Sequence, residues 1–402
     1  MKVAIIGGGA AGFFAAINIK ENYPNAVVTI FEKSAKILSK VKVSGGGRCN
    51  VTNGIDSIKE LAKAYPRGEK QLRKVFGVFS NTNTMQWFES RGVALVTQTD
   101  NCVFPKSQNS QSVIDCFLSE VNRLDISIRY KKGVLQIEEQ NNQLELRFAD
   151  NTTQLFDKII VATGGAPKRK NLDWLANLGH DISSPVPSLF TFNMPDESIT
   201  KLMGIVVENA TVSIQGTKLK SNGALLITHW GMSGPAILKL SAFGARVLSE
   251  KDYQFKVQVN WIDILNTDGV KREIEKIVSL NSNKQLATVK PFRLQTRLWH
   301  YLLSKIDLPL DRKWKEIGNK GMNKMVNILT NDVYQAQGKT TFKEEFVTCG
   351  GISLQGIDFK TMQSKKVKNL YFTGEVLDID GITGGFNFQA AWSTAFVAAM
   401  LK

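Results

Sequence analysis

The 402-residue sequence is short of cysteine, histidine and acids, with four Cys, three His and 36 Asp+Glu against 51 Lys+Arg. Each shortage removes a class of protein. Cys49, Cys102, Cys116 and Cys349 form no C-x-x-C pair and follow no regular spacing, which argues against a disulfide framework or a zinc site built from cysteine. Three histidines do not supply a metal site in their place. No stretch approaches the ~20 apolar residues of a membrane span, and the apolar start, Met1–Ile6, meets glycines before it could serve as a signal-peptide core. The expectation is a soluble protein of a reducing compartment, hence cytoplasmic. The deficit of acids leaves a net charge of +15, which suits an anionic partner: nucleic acid, an acidic cofactor or an anionic surface. Global disorder is excluded by 43% hydrophobic residues.

Along the chain, an apolar run Val3–Ile6, glycines between Gly7 and Gly12, a small-residue helix Ala10–Glu21 and a second run Ala26–Phe31 read as strand, turn, helix, strand. A basic helical stretch follows with Lys59, Lys63, Arg67, Lys70, Arg73 and Lys74. Short runs at Ile126–Tyr130, Val134–Glu138, Leu144–Phe148 and Leu155–Val161 predict an antiparallel meander that returns as a buried strand into Gly164–Gly165. After Pro185 and Pro187 the pattern is β-type, then helical and basic, and from about Phe342 it resumes the opening style. The predicted fold is α/β, a Rossmann-type domain interrupted by an insertion. The expected parts are 1–188 and 341–402 for the Rossmann-type domain, 189–265 for an inserted β-rich domain and 266–340 for an inserted basic helical subdomain.

Gly7-Gly8-Gly9-Ala10-Ala11-Gly12 fits G-x-G-x-x-G, a weak signal alone. Here it follows a strand, opens a helix and precedes, 20 residues after Gly12, Glu32 at a strand end. Gly7 allows the turn, Gly9 lets backbone N–H groups approach a pyrophosphate, Gly12 lets the helix pack on the strand, and the helix start at Ala10 and Ala11 offers partial positive charge. Glu32 would accept hydrogen bonds from ribose hydroxyls. This fingerprint does not separate NAD from FAD. Two further segments favour the longer FAD: Ser44-Gly45-Gly46-Gly47-Arg48-Cys49, with glycines beside a fixed cation, and Gly374-Glu375 followed by Asp380-Gly381 and Gly384-Gly385-Phe386-Asn387, a strand end, acids and a second helix start.

Through SGGGRCNVTN (44–53), ATGG (162–165), LGH (178–180), THWGMSGPAIL (228–238), CGGI (349–352) and GEVLDIDGITGGFNFQAAWSTA (374–395), nearly the whole chain resembles the two-dinucleotide-binding-domain flavoproteins. More narrowly, it resembles the BaiN/RdsA-type NAD(P)/FAD-dependent oxidoreductases, the HI0933-like or YhiN-like flavoproteins. The resemblance implies FAD contacts at Gly7, Gly9, Gly12, Glu32, Lys33, Lys42, Ser44, Gly45, Arg48, Cys49, Val134, Thr163, Gly164, Gly374, Glu375, Asp380 and Gly384 through Asn387. It also implies hydride chemistry at flavin N5 on a carbon–carbon double bond conjugated to a carbonyl, with a uracil of ribosomal RNA or a dehydro bile acid as substrate types. One departure stands out: many relatives carry a longer D-G-x-G-Y stretch where this chain has Ala166-Pro167-Lys168-Arg169-Lys170.

No second G-x-G-x-x-G is present, so a dedicated NAD(P)H domain is not expected: either NAD(P)H visits the flavin transiently or the electrons arrive by another route. Reduction needs a proton donor or a group that polarises the carbonyl. His229, ending a β run beside Gly231, Ser233 and Gly234, is the leading candidate; a structural role is the alternative. Cys49 would suit proton donation if it lies at the ring, or would simply pack beneath it. Pro291–Lys305 reads as one helix with Arg293, Arg297 and Lys305 outward. Trp314 among Arg312, Lys313 and Lys315, with Lys320 and Lys324 following, suits an RNA backbone with a base to stack. The expected function is therefore reduction of a uracil in ribosomal RNA. A small-molecule oxidoreductase and a flavin-carrying RNA-binding or assembly protein without turnover are the alternatives.

Overall fold

The computed structural model describes residues 1–340 and 347–402. They divide into two compact units, one from Met1–Ser188 with Phe342–Lys402, the other Leu189–Thr341. The expected boundary at 340/341 adjoins residues outside those described.

Five parallel strands organise the first unit: β1 Lys2–Ile6, β2 Val27–Phe31, β3 Ser127–Arg129, β4 Lys158–Val161 and β5 Leu370–Phe372. Their order in the sheet is β5-β4-β1-β2-β3, and two short antiparallel strands, Gln363–Ser364 and Ile357–Asp358, extend it beyond β5. β1 in the middle is apolar on both faces, as a covered parallel strand must be: Val3, Ala4 and Ile5 are fully buried. The helix α1, Ala10–Asn22, and the closing helix α2, Phe386–Ala398, are apolar around most of their circumference because other elements cover them. Phe14 of α1 packs on Trp392 of α2 at 5.3 Å between ring centres.

The predicted meander is half right. Val134–Gln140, Gln143–Phe148 and Thr153–Phe156 form a three-stranded antiparallel sheet. The run at Ile126–Tyr130 does not join it; as β3 it pairs in parallel with β2. The basic stretch 59–74 is two helices, Ile58–Ala62 and Glu69–Phe76, parted by a left-handed Gly68.

In the second unit seven strands pair antiparallel throughout, in the order 332–337, 254–260, 206–214, 220–228, 231–233, 191–193, 339–340. The expected split at 265/266 is not a division: Asp332–Gln337 pairs with Gln254–Asn260, and the helices Thr267–Leu280, Thr296–Lys305 and Gly318–Thr330 bury Val270, Leu298 and Met325 in the same core as Val257 and Val259. Pro291–Lys305 is not one helix either, since Phe292 and Arg293 take left-handed backbone and the helix starts only at Thr296.

Candidate cofactor site

Three turns leave the C-terminal ends of β1, β4 and β5, adjacent strands of the parallel sheet. Gly7–Gly12, Ala162–Gly165 and Thr373–Glu375 therefore lie along one edge, the place where open α/β sheets bind ligands. The first and last of these touch: a Cβ on Gly374 would stand 3.0 Å from the Cβ of Ala11.

The fingerprint glycines separate by reason. A Cβ on Gly7 would lie 2.4 Å from the Ala162 carbonyl oxygen, and one on Gly12 would lie 2.0 Å from the Gly7 oxygen, so both are required by the protein's own packing. Gly9 is different, because a Cβ there would meet no heavy atom within 4 Å. The open space at Gly9 fits a ligand that approaches the backbone. α1 begins at this point with no side-chain cap and no acid in its first turn, and α2 begins likewise at Gly385. Two uncapped helix starts of this kind suit the phosphates and the electron-rich ring of a flavin dinucleotide.

Glu32 is held ready as an acceptor. One carboxylate oxygen accepts the Gly8 N–H at 2.9 Å and the other the Ser34 N–H at 2.8 Å, which fixes its plane and leaves lone pairs for ribose hydroxyls. The backbone from 32 to 34 pairs with Lys131 and Lys132, bringing the exposed Lys33 and the strand start Val134 to the same place. A groove of about 940 Å³ opens beside Lys36, Lys40, Lys42 and Tyr130.

The segment 44–53 is stitched to the turn before α2. The Asn50 amide, with its oxygen toward Gly385, accepts that residue's N–H at 3.1 Å; the Asn53 amide donates to the Gly384 carbonyl at 3.0 Å, and Trp392 donates to Val51. Asn387 grips Gly381 through both its amide oxygen and nitrogen, and Tyr65 donates to the Phe386 carbonyl. Gly45, Gly46 and Gly47 run in left-handed backbone, while Ser44 donates back to Val41. Arg48 donates to the Gly45 carbonyl and stacks 4.1 Å above Phe104, a fixed cation as its sequence context implied.

Two of the expected site side chains are buried. Asp380, expected as an anchor for the cofactor, is fully buried and its carboxylate is taken by the Arg67 guanidinium and the Ser188 hydroxyl, the latter at 2.6 Å. Burial pushes its carboxyl above the usual range even though Arg67 and Ser188 pull the other way. Cys49 is fully buried, and burial pushes its thiol up to about 12, outweighing the Ser44 hydrogen bond. A thiol with no exposed surface and that pKa is a poor proton donor, which fits the packing alternative. Glu375 instead presents an acid at the sheet edge, accepting the Thr348 N–H at 2.9 Å and pairing with Lys40 at 2.7 Å. Thr163 is exposed at the turn, and Gly164 there has left-handed backbone.

Sequence reasoning missed Arg67, Ser188, Lys40, Thr348 and the Asn50–Asn53 pair. The asparagines sat inside a quoted motif, where their spacing to a strand was the available signal; Arg67 was hidden in a run of cations. His180 is buried against Phe372 and bonded to Ser364, with burial pushing it down to about 4. His300 is half-buried with its ring facing the Ala287 carbonyl at 3.4 Å. His229 is exposed on the turn between Lys220–Thr228 and Gly231–Ser233, with its ring edge-on to Trp230 at 4.4 Å. Trp314 is no stacking platform: it is fully buried, parallel to Trp299 at 6.3 Å.

Glycine turns at the ligand edge of a parallel sheet and two uncapped helix starts suit a flavin dinucleotide, and with the family and relatives below the chain is an FAD-dependent oxidoreductase. The chain belongs to the family described as HI0933-like protein Rossmann domain, which matches residues 1–401. It is 28% identical to a ribosomal RNA dihydrouridine synthase of Haemophilus influenzae, across 98% of this chain and 97% of that one. It is 25% identical to a 3-dehydro-bile acid delta(4,6)-reductase of Clostridium scindens, across 99% and 98%. A 3-ketosteroid-delta4-(5alpha)-dehydrogenase from Rhodococcus jostii shares the fold at a TM-score of 0.52 and 11% identity, covering 99% of this chain and 96% of its own. Among the described residues, no helix is long and apolar enough to cross a membrane.

Proposed function

We propose that the chain reduces the carbon–carbon double bond of a uracil in ribosomal RNA to dihydrouridine, with NAD(P)H as the electron source. The observation that carries this reading is the end-to-end similarity to a ribosomal RNA dihydrouridine synthase. The net charge of +15 supports it, since an RNA substrate is a polyanion.

FAD, when bound and reduced, would supply a hydride to one carbon of the double bond. The other carbon takes a proton, so the base gains two electrons and two protons in all and no group leaves. Glu32 would hold the adenosine ribose through its fixed carboxylate, and the free N–H groups of Ala10, Ala11 and Gly12 at the start of α1 would receive the pyrophosphate. The start of α2, shaped by Asn50, Asn53 and Asn387, would lie at the ring end and offer partial positive charge to it. To His229 we assign proton delivery or polarisation of the uracil carbonyl, a step worth roughly 10²–10⁴-fold in rate. The base must leave its stack to react, at a cost of about a few kcal/mol, least where the RNA is unpaired.

A second reading, reduction of a small enone, is supported by the similarity to the bile acid reductase. Anaerobic mixing of the reduced flavoprotein with an unstructured ribosomal RNA fragment, or with a dehydro steroid, tests both. Rapid return of oxidised-flavin absorbance with RNA is expected. Return with the steroid alone would overturn the first reading and support the second.

A further inference from the structure

Between residues 281 and 324, ten Lys and Arg stand against three acids, which accounts for nearly half of the chain's net +15. The structure gathers part of this charge on one feature. Residues 282–287 and 310–315 run side by side as a backbone-paired ribbon: Leu286 donates to the Arg312 carbonyl at 2.8 Å, Ala287 to Leu310 at 3.0 Å, Trp314 to Lys284 at 3.0 Å and Lys315 to Ser282 at 3.0 Å. Beneath it, the Trp299–Trp314 stack is buried, and the Trp299 indole donates to the Leu286 carbonyl at 2.7 Å. The ribbon's shape is therefore set from below, with no aromatic ring spent on its outer face.

Lys284, Lys313 and Lys315 are exposed on it and Arg312 is half-buried. Their neighbours Lys305 and Lys324 are paired with Asp332 and Asp307, but among the described residues none of Lys284, Arg312, Lys313 and Lys315 makes an ion pair with an acid. One carboxylate, Asp311, lies on the ribbon and a second, Glu316, directly follows it and accepts the Lys313 backbone N–H. Charge left unpaired while adjacent charge is paired gains most from an external polyanion.

We infer that this ribbon docks the phosphate backbone of an RNA strand; the inference rests on the proposed RNA substrate and names where that substrate is gripped. Because both tryptophans are buried, recognition here is by charge, sequence-independent and salt-dependent. The test uses the FAD-loaded protein and a labelled ribosomal RNA fragment, with anisotropy titrations over a range of salt. The triple variant Lys284→Gln, Lys313→Gln, Lys315→Gln should bind about ten-fold or more weakly and lower the slope of log affinity against log salt by about 2, at roughly 0.7 per single-strand phosphate contact. Lys313→Arg with Lys315→Arg should bind as the wild type does. A control triple in the first unit, Lys59→Gln, Lys70→Gln, Lys74→Gln, should change affinity by less than about three-fold. Equal FAD content and melting temperature would show that the ribbon variant is folded.

Unchanged RNA binding by the ribbon variant, equal loss in the control, or wild-type binding to anionic phospholipid vesicles in place of RNA would each overturn the inference. Failure of the activity reading is distinguishable. Ribbon-dependent RNA binding with no dihydrouridine formed leaves the surface standing and removes the reaction; dihydrouridine formed by the ribbon variant with unchanged KM for RNA does the reverse.

Discussion

Replacing Arg67 by methionine should strip the charge partner from a carboxylate that has no exposed surface. Arg67 meets Asp380 through two guanidinium nitrogens and is itself only 15% exposed, and Ser188 supplies the third contact. Removing one member of such a buried pair costs about 3–5 kcal/mol, because the other charge stays desolvated. At roughly 2–4 °C per kcal/mol for a unit of this size, the first melting transition should fall by on the order of 10 °C at neutral pH. Asp380 already has its carboxyl pushed up by burial, and losing Arg67 pushes it further. A folded-state pKa above the unfolded ~3.9 opposes folding once the pH exceeds that lower value. The opposition fades as pH falls through the raised pKa, so the deficit of Arg67→Met relative to wild type should shrink on acidification. Arg67→Met with Asp380→Asn should recover much of the loss, having no lone charge to bury. Differential scanning calorimetry from pH 8 to pH 5 reads all three. A loss below about 1 kcal/mol at neutral pH, or a deficit that grows on acidification, would refute the reasoning.

Other expectations follow from the cofactor site. Glu32→Ala should weaken FAD retention by about 10–100-fold, the worth of charge-assisted hydrogen bonds, with less effect on turnover of enzyme still loaded; unchanged flavin content after dialysis would count against its placement. Gly9→Val should keep the apoprotein's melting temperature while losing FAD, whereas Gly12→Ala should destabilise the apoprotein itself, since its Cβ has no room; calorimetry of apoprotein with a flavin titration separates them. His229→Ala should slow substrate reduction by roughly 10²–10⁴-fold and leave FAD affinity intact, and wild-type turnover would remove it from the reaction. Cys49, buried with its thiol pushed up to about 12, should resist iodoacetamide at pH 8 in the native protein and react after unfolding, as peptide mass spectrometry would show.

The opening βαβ unit was legible because its signals are local. Alternation, a glycine turn and an acid at a fixed offset all fall within 32 residues, and β1, α1 and β2 lie within a residue or two of where they were expected. Pairing partners were not legible. The run at 126–130 has the same composition whether it joins a meander or the parallel sheet, and only the sheet's need for an outer strand beside β2 decides. The insertion was divided wrongly for a similar reason: strand 332–337 lies beyond the helices in sequence but beside 254–260 in space. Arg67 and Trp314 show the limit for side chains. Each sat among cations and read as surface, yet one neutralises a buried acid contributed from over 300 residues away and the other fills a core.

The central claim is tested most directly by nucleoside mass spectrometry of purified ribosomal RNA from cells with and without the gene. A dihydrouridine that disappears in the deletion strain and returns with the wild-type gene, though not with His229→Ala, is the predicted result. Ribosomal RNA whose dihydrouridine content is the same with and without the gene would contradict the account.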